Sequence, residues 1–146
     1  MARVFAQEDG NLSVKPITTS RVKVYKDIDL SFTARSNKDI FKKEDASSVK
    51  QGVKNLLLTN RGEKPFDYYY GGNLNDYLFE NFDELDEEEV SDMVSSAMSN
   101  YEPRAIFRGL RLFHMPDNNT IQLTVQFQIK NTYENTELNI ELTRLR

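Results

Sequence analysis

The sequence contains no cysteine, which excludes disulfides and thiolate metal sites alike. Its only histidine is His114, so no multi-histidine metal centre can form. His114 falls in a predicted strand, where a structural or surface role accounts for it better than a general base. No Gly-x-Ser-x-Gly elbow and no phosphate-binding glycine loop occurs. Long apolar runs are missing too: the longest aliphatic stretch is Leu56-Leu57-Leu58, and the N-terminus has no apolar signal core. The reading is a protein that does not enter a membrane and is made in the cytosol, or built into a particle there. A basic surplus is lacking as well. The formal charge of -4 argues against a nucleic-acid binder.

What remains is the material of one ordinary domain. The 146 residues suffice for a single core, and 38% hydrophobic with 29% charged residues lies on the polar side of the globular range. Residues 1–24 show little periodicity and read as an extended N-terminal arm. From Tyr25 to Phe32, Ile28, Leu30 and Phe32 alternate with polar residues, which predicts a short half-buried strand or extended segment. Asp27 and Asp29 share its other face. A D-x-D pair can hold a cation, but no third ligand is in sight, and solvated or capping aspartates are the simpler reading.

Val49, Val53, Leu56 and Leu57 are spaced for one buried helix face after Asp45-Ala46-Ser47-Ser48, and Thr59-Asn60-Arg61-Gly62 ends that helix. Asn73 can cap a short helix whose apolar face holds Leu74, Tyr77, Leu78 and Phe79. The acidic run at 83–89 then meets the positive end of a second helix. Val90, Val94, Ala97 and Tyr101 continue that helix, with Met93 and Met98 beside them, until Pro103 stops it. Beyond Pro103 the period becomes two. Residues 105–115 read as a strand, Pro116 to Asn119 as a turn, and Ile121, Leu123, Val125, Phe127 and Ile129 as the inward side of a central strand. Leu138, Ile140 and Leu142 alternate with Asn139, Glu141 and Thr143 in a last one. The predicted class is α+β: an N-terminal arm, and helices packed on a small C-terminal three-stranded antiparallel meander, with 25–146 as a single domain.

Tyr68-Tyr69-Tyr70 before Gly71-Gly72 could form a stacking platform for a sugar or base. A tight turn beside packed rings is the plainer reading. With 23 acidic residues, some carboxylate pair at glycosidase spacing arises by chance on any surface. Glu102-Pro103-Arg104 is more specific. If the backbone is extended there, residues two apart point the same way, so a carboxylate and a guanidinium stand side by side at a rigid corner.

Four strings occur in a telling order: Tyr25-Lys-Asp-Ile-Asp, Thr59-Asn-Arg-Gly-Glu-Lys-Pro-Phe, Gly71-Gly-Asn-Leu-Asn-Asp-Tyr-Leu-Phe-Glu-Asn and Asn100-Tyr-Glu-Pro-Arg. Together they resemble the small baseplate wedge subunits of contractile phage tails, whose relatives include TssE-type subunits of type VI secretion baseplates. The resemblance spans roughly residues 25 to 145. Lys64 stands where an arginine before Pro-Phe is common, and Tyr68-Tyr69-Tyr70 and Gly72 replace a more usual proline, phenylalanine and cysteine pattern. These departures bear on the packing of a connecting loop.

The resemblance implies a structural protein of the virion tail baseplate, assembled in the host cytoplasm, with no cofactor and no metal. It implies that Glu102, Pro103 and Arg104 contact the core helical bundle of the wedge. It also implies that the strand Leu138, Asn139, Ile140, Glu141, Leu142 and Thr143 faces the tail sheath protein and templates the first sheath ring. Neither nucleic acid nor membrane is an expected partner. Some members of this family carry a lysozyme-like label, so a peptidoglycan-degrading tail enzyme is the alternative, although no acid, nucleophile and cleft are apparent. A single-strand nucleic-acid binder using Tyr68 to Tyr70 with Arg104, Arg108 and Arg111 is a weaker third reading.

Overall fold

The structure, a computed structural model, describes residues 25–79, 86–115 and 119–144. The arm at 1–24, residues 80–85 with the start of the acidic run, and turn residues 116–118 lie outside them. Strand β1 (Lys26–Ile28) pairs antiparallel with β2 (Lys42–Glu44), with Lys26 opposite Glu44 and Ile28 opposite Lys42. Helix α1 (Ala46–Leu58) follows, then one 3-10 turn (Asp76–Phe79), helix α2 (Glu87–Tyr101) and the strands β3 (Ala105–Met115), β4 (Thr120–Ile129) and β5 (Asn135–Thr143). The three long strands form one antiparallel sheet in the order β3-β4-β5. This is the α+β meander that the alternation predicts.

Each helix is bounded by identifiable chemistry. The Asp86 carboxylate accepts the Glu88 N–H at 3.0 Å, and Glu87, Glu88 and Glu89 occupy the first turn of α2, where negative charge is favoured. Thr59 ends α1 by returning both its N–H and its hydroxyl to the Asn55 carbonyl, at 3.0 and 2.7 Å. One core gathers Val49, Val53, Leu56 and Leu57 of α1 with Val90, Val94, Ala97 and Met98 of α2. Both helices press these residues on the inward side of β4, where Ile121, Leu123, Val125, Phe127 and Ile129 are all buried. Each fully buried large apolar side chain contributes about 1.5–3 kcal/mol. The other side of β4 carries Gln122, Thr124, Gln126 and Gln128, all half-buried.

Two expectations fail locally. Ile28, Leu30 and Phe32 do not share a half-buried face: all three are exposed, Phe32 by 65%, and the extended run ends at Phe32, whose φ is +50°. Strand β1 has three residues and pairs only with β2 among the described residues, which leaves these side chains without a covering layer there. The helix expected through Phe79 shrinks to the 3-10 turn, which buries Leu78 while Leu74 is buried just ahead of it. Phe79 is 70% exposed, beneath the Arg144 guanidinium at 5.2 Å.

Candidate functional site

The corner between α2 and β3 is built by Glu102, Pro103 and Arg104. The Glu102 N–H still bonds the Met98 carbonyl at 2.9 Å, closing the helix, while the Ala105 N–H reaches back to the Glu102 carbonyl at 3.1 Å. Pro103 and Arg104 are therefore the central pair of a β-turn, with proline at its preferred second position. The extended geometry expected for this tripeptide is replaced by that turn, since the chain must reverse from helix into sheet within three residues. The side chains still converge. Arg104 donates from Nε to Glu102 Oε1 at 2.5 Å and from Nη2 to Oε2 at 2.7 Å, a two-pronged ion pair. Lys130 N–H to the Arg104 carbonyl, at 3.0 Å, fixes the corner to the end of β4.

Glu102 is 6% exposed, whereas the Arg104 side chain keeps 31% of its surface. The hydrogen bonds it donates to Glu102 hold Arg104 above its ordinary pKa, against the effect of partial burial, with the charges of Glu102 and Asp27 adding to them. Sequence reasoning missed what lies under the pair. A Cβ on Gly52, in the middle of α1, would stand 2.5 Å from Glu102 Oε2 and 2.8 Å from Arg104 Nη2. The glycine thus opens the helix surface for the ion pair. An isolated glycine inside a helical pattern was the available signal. The Tyr25 ring lies 5.6 Å from the Arg104 guanidinium carbon and brings the start of the β1–β2 hairpin to the same corner.

Gln51, equally unforeseen, is buried beside Gly52. Its Nε2 donates to the Ile28 carbonyl at 2.7 Å and to Asp27 at 3.4 Å, and its Oε1 accepts the Leu30 N–H at 3.4 Å. The D-x-D aspartates are engaged locally. Asp27 accepts from Ile28 N–H and Gln51, and Asp29 accepts the Ser31 N–H and pairs with Lys43 at 3.2 Å. The bond from Ser31 lowers the Asp29 pKa most, and burial opposes it only in part. Among the described residues no group of three metal-ligating side chains occurs, and no helix is long and apolar enough to cross a membrane.

The strings at 59–66 and 71–79 are packed together. Gly71, at φ +124°, leaves no room for a Cβ against the Thr59 carbonyl, the Gly72 N–H bonds the Leu56 carbonyl at 3.0 Å, and Asn75 donates to Asn60 at 3.0 Å. Tyr70 stacks edge-on against Tyr101 at 5.1 Å, so the tyrosine–glycine segment buttresses the helix end before Glu102. Tyr68 and Tyr69 are exposed and meet edge to face. Of the arginines considered for nucleic acid, Arg104 is held by Glu102 and Arg108 by Gln128 at 2.6 Å. His114 stands opposite Ile121, half-buried on the helix-covered side.

The residues 138–143 lie in β5, an edge of the sheet. Ile140 and Leu142 are buried and Leu138 half-buried on the helix side, while Asn139, Glu141 and Thr143 are exposed on the other. The direction of the edge amides follows from two bonds at the ends of the β4–β5 ladder. Arg144 N–H donates to the Asn119 carbonyl and Ile129 N–H to the Glu134 carbonyl, both at 3.0 Å, and the register between them has no break. In an antiparallel ladder, directly opposed residues alternate between bonded and non-bonded pairs. Thr136, Leu138, Ile140 and Leu142 therefore spend their main-chain groups on β4. Glu137, Asn139, Glu141 and Thr143 point theirs to the open edge.

This fold recurs in solved structures. A subunit in the cryo-EM structure of the anti-feeding prophage baseplate superposes with a TM-score of 0.56 at 17% identity, over 82% of this chain and 85% of the other. The crystal structure of a candidate tail lysozyme from Geobacter sulfurreducens gives a TM-score of 0.58 at 15% identity, over 67% and 89% respectively. At such identities the likeness concerns the fold alone. Sequence carries the assignment further: the chain belongs to the baseplate wedge protein gp25 family, whose model matches residues 43–134. It is 32% identical over 107 residues to baseplate wedge protein gp25 of Enterobacteria phage T4, covering 73% of this chain and 81% of that protein. The residues matched by the family model contain the Glu102–Arg104 corner and end just before β5.

Proposed function

We propose that the chain is a structural wedge subunit of a contractile-tail baseplate, not an enzyme. It fastens to the core helical bundle of the wedge through Glu102, Pro103 and Arg104. Its β5 edge, Leu138 to Thr143, receives strands of the tail sheath protein and so starts the first sheath ring. Its place is the virion tail baseplate, assembled in the host cytoplasm, with neither nucleic acid nor membrane as partner. Membership in the wedge family supports the first part. The observation that carries the attachment reading is the pre-formed corner: a buried carboxylate holds a guanidinium rigid while a third of that side chain stays open to a partner. Orientation paid for inside the subunit need not be supplied again on binding.

Arg104→Lys tests it, because lysine keeps the charge beside Glu102 and gives up the planar fork. The variant and the wild type are co-expressed with the neighbouring tail proteins, purified, and compared by circular dichroism and wedge co-purification. A folded variant with attachment reduced about tenfold or more is expected, the scale for losing one partner of a buried charged contact. Undiminished co-purification would overturn the attachment reading. Arg104→Ala is the poorer test, for it strands a buried carboxylate and endangers the fold itself.

A further inference from the structure

Beside the open edge of β5 runs a groove formed by three elements. Its lining includes Leu30 and Ser31 of the hairpin, Lys50, Gln51 and Lys54 of α1, and Leu138 of β5. Lys50 and Lys54 are exposed, one helical turn apart, and make no ion pair among the described residues. On the opposite side of β5 stand Glu137 and Glu141, both exposed. A strand added to this edge would therefore meet cations on its helix side and carboxylates on its outer side.

We infer that β5 selects an extended partner segment with carboxylates at alternate positions on its helix-facing side, and neutral or basic residues on its outer side. The inference rests on the reading of β5 as the strand-accepting edge and adds the chemistry of the accepted strand. Main-chain bonds to Glu137, Asn139, Glu141 and Thr143 supply the pairing, and side chains at every second position supply register. The spacing agrees. Side chains four apart on a helix lie about 5–6 Å from one another, and same-face residues of a strand about 6.6–6.8 Å. Two alternate carboxylates can thus reach Lys50 and Lys54 while apolar neighbours settle on Leu30 and Leu138. A second copy of this chain fits badly, since antiparallel β5–β5 pairing centred on Asn139 sets Glu137 directly against Glu141, and like charges opposed across strands destabilise.

The test uses whole tails assembled in cells and electron microscopy of the fraction of baseplates that carry sheath. Glu141→Pro removes one outward amide without touching the bonds to β4, and baseplates without sheath are expected. Lys50→Glu with Lys54→Glu leaves the edge intact and reverses the groove. A fall in sheathed baseplates of about tenfold or more is expected from like-charge juxtaposition, with wedge co-purification unchanged. If the lysine pair sheathes like wild type while Glu141→Pro is bare, the acidic-strand inference fails and the edge reading stands. If Glu141→Pro sheathes normally, the edge reading itself fails.

Should Glu141→Pro not fold, hydrogen exchange of the wild-type Glu137, Asn139, Glu141 and Thr143 amides decides the same point, with slowing expected in sheathed baseplates. Unslowed amides there overturn the edge reading. Loss of wedge attachment in the lysine variant would assign the groove to the wedge core. Dimers of the purified chain abolished by Glu141→Pro would assign the edge to a second copy. Either result overturns the inference.

Discussion

At Gly52 two opposing effects meet within one residue. Glycine in a helix interior costs about 1 kcal/mol relative to alanine, so Gly52→Ala would ordinarily stabilise α1. Here the new methyl would intrude on Glu102 Oε2 and Arg104 Nη2. Glu102 is too buried to step aside freely, and displacing its fork from Arg104 costs a charge-assisted bond worth about 1.5–3 kcal/mol. A net loss of about 1 kcal/mol is expected in urea unfolding. In a Glu102→Ala, Arg104→Ala background the obstruction is gone, and the same substitution should become stabilising. Equal effects in both backgrounds would mean that the glycine does not serve the ion pair.

At the scale of elements, the β1–β2 hairpin depends on one side chain of α1. Gln51 satisfies main-chain groups of Ile28 and Leu30 from a buried position, whereas the hairpin's own Ile28, Leu30 and Phe32 contribute little burial. Gln51→Leu removes those bonds while keeping bulk. It should loosen the hairpin, seen as faster hydrogen exchange at Asp29 and Leu30, with α2 and the sheet unaffected. A loss of about 0.5–1.5 kcal/mol for each hydrogen bond removed is the expected scale. Unchanged exchange in the hairpin would show that β1 is held by other contacts. In β3 the deciding feature is the bulge at Arg108. Phe107 opposes Phe127 and Gly109 opposes Gln126, so one extra residue switches the inward side from odd to even positions. Leu110 and Leu112 are turned to the core by that switch, and Phe113 and Met115 are left exposed.

For the molecule as a whole, the question of enzyme or scaffold turns on the buried acids. A glycosidase needs one carboxyl kept protonated by its surroundings and a second one across a cleft. Among the described residues Glu102 is the only buried carboxylate, and both of its oxygens accept from Arg104. With both oxygens taken up by the guanidinium, neither is presented to a substrate. The purified chain should therefore release no reducing sugar from peptidoglycan between mildly acidic and neutral pH. Hydrolysis that vanished on replacing one specific carboxylate would add a catalytic function to the scaffold.

The sequence by itself determined the α+β class, the two amphipathic helices, β4 as the central strand and the charged tripeptide at the helix stop. All of these rest on local periodicity or on proline's missing amide, which act within a few residues. Tertiary structure decided the rest. Which β5 amides remain open depends on the register with β4, and the core-facing side of β3 depends on the bulge at Arg108. That Glu102 and Arg104 bind each other over Gly52 depends on how closely α1 approaches the corner, some 50 residues away along the chain. Period-two patterning names the two sides of a strand, but only the neighbouring strand determines where its hydrogen bonds go.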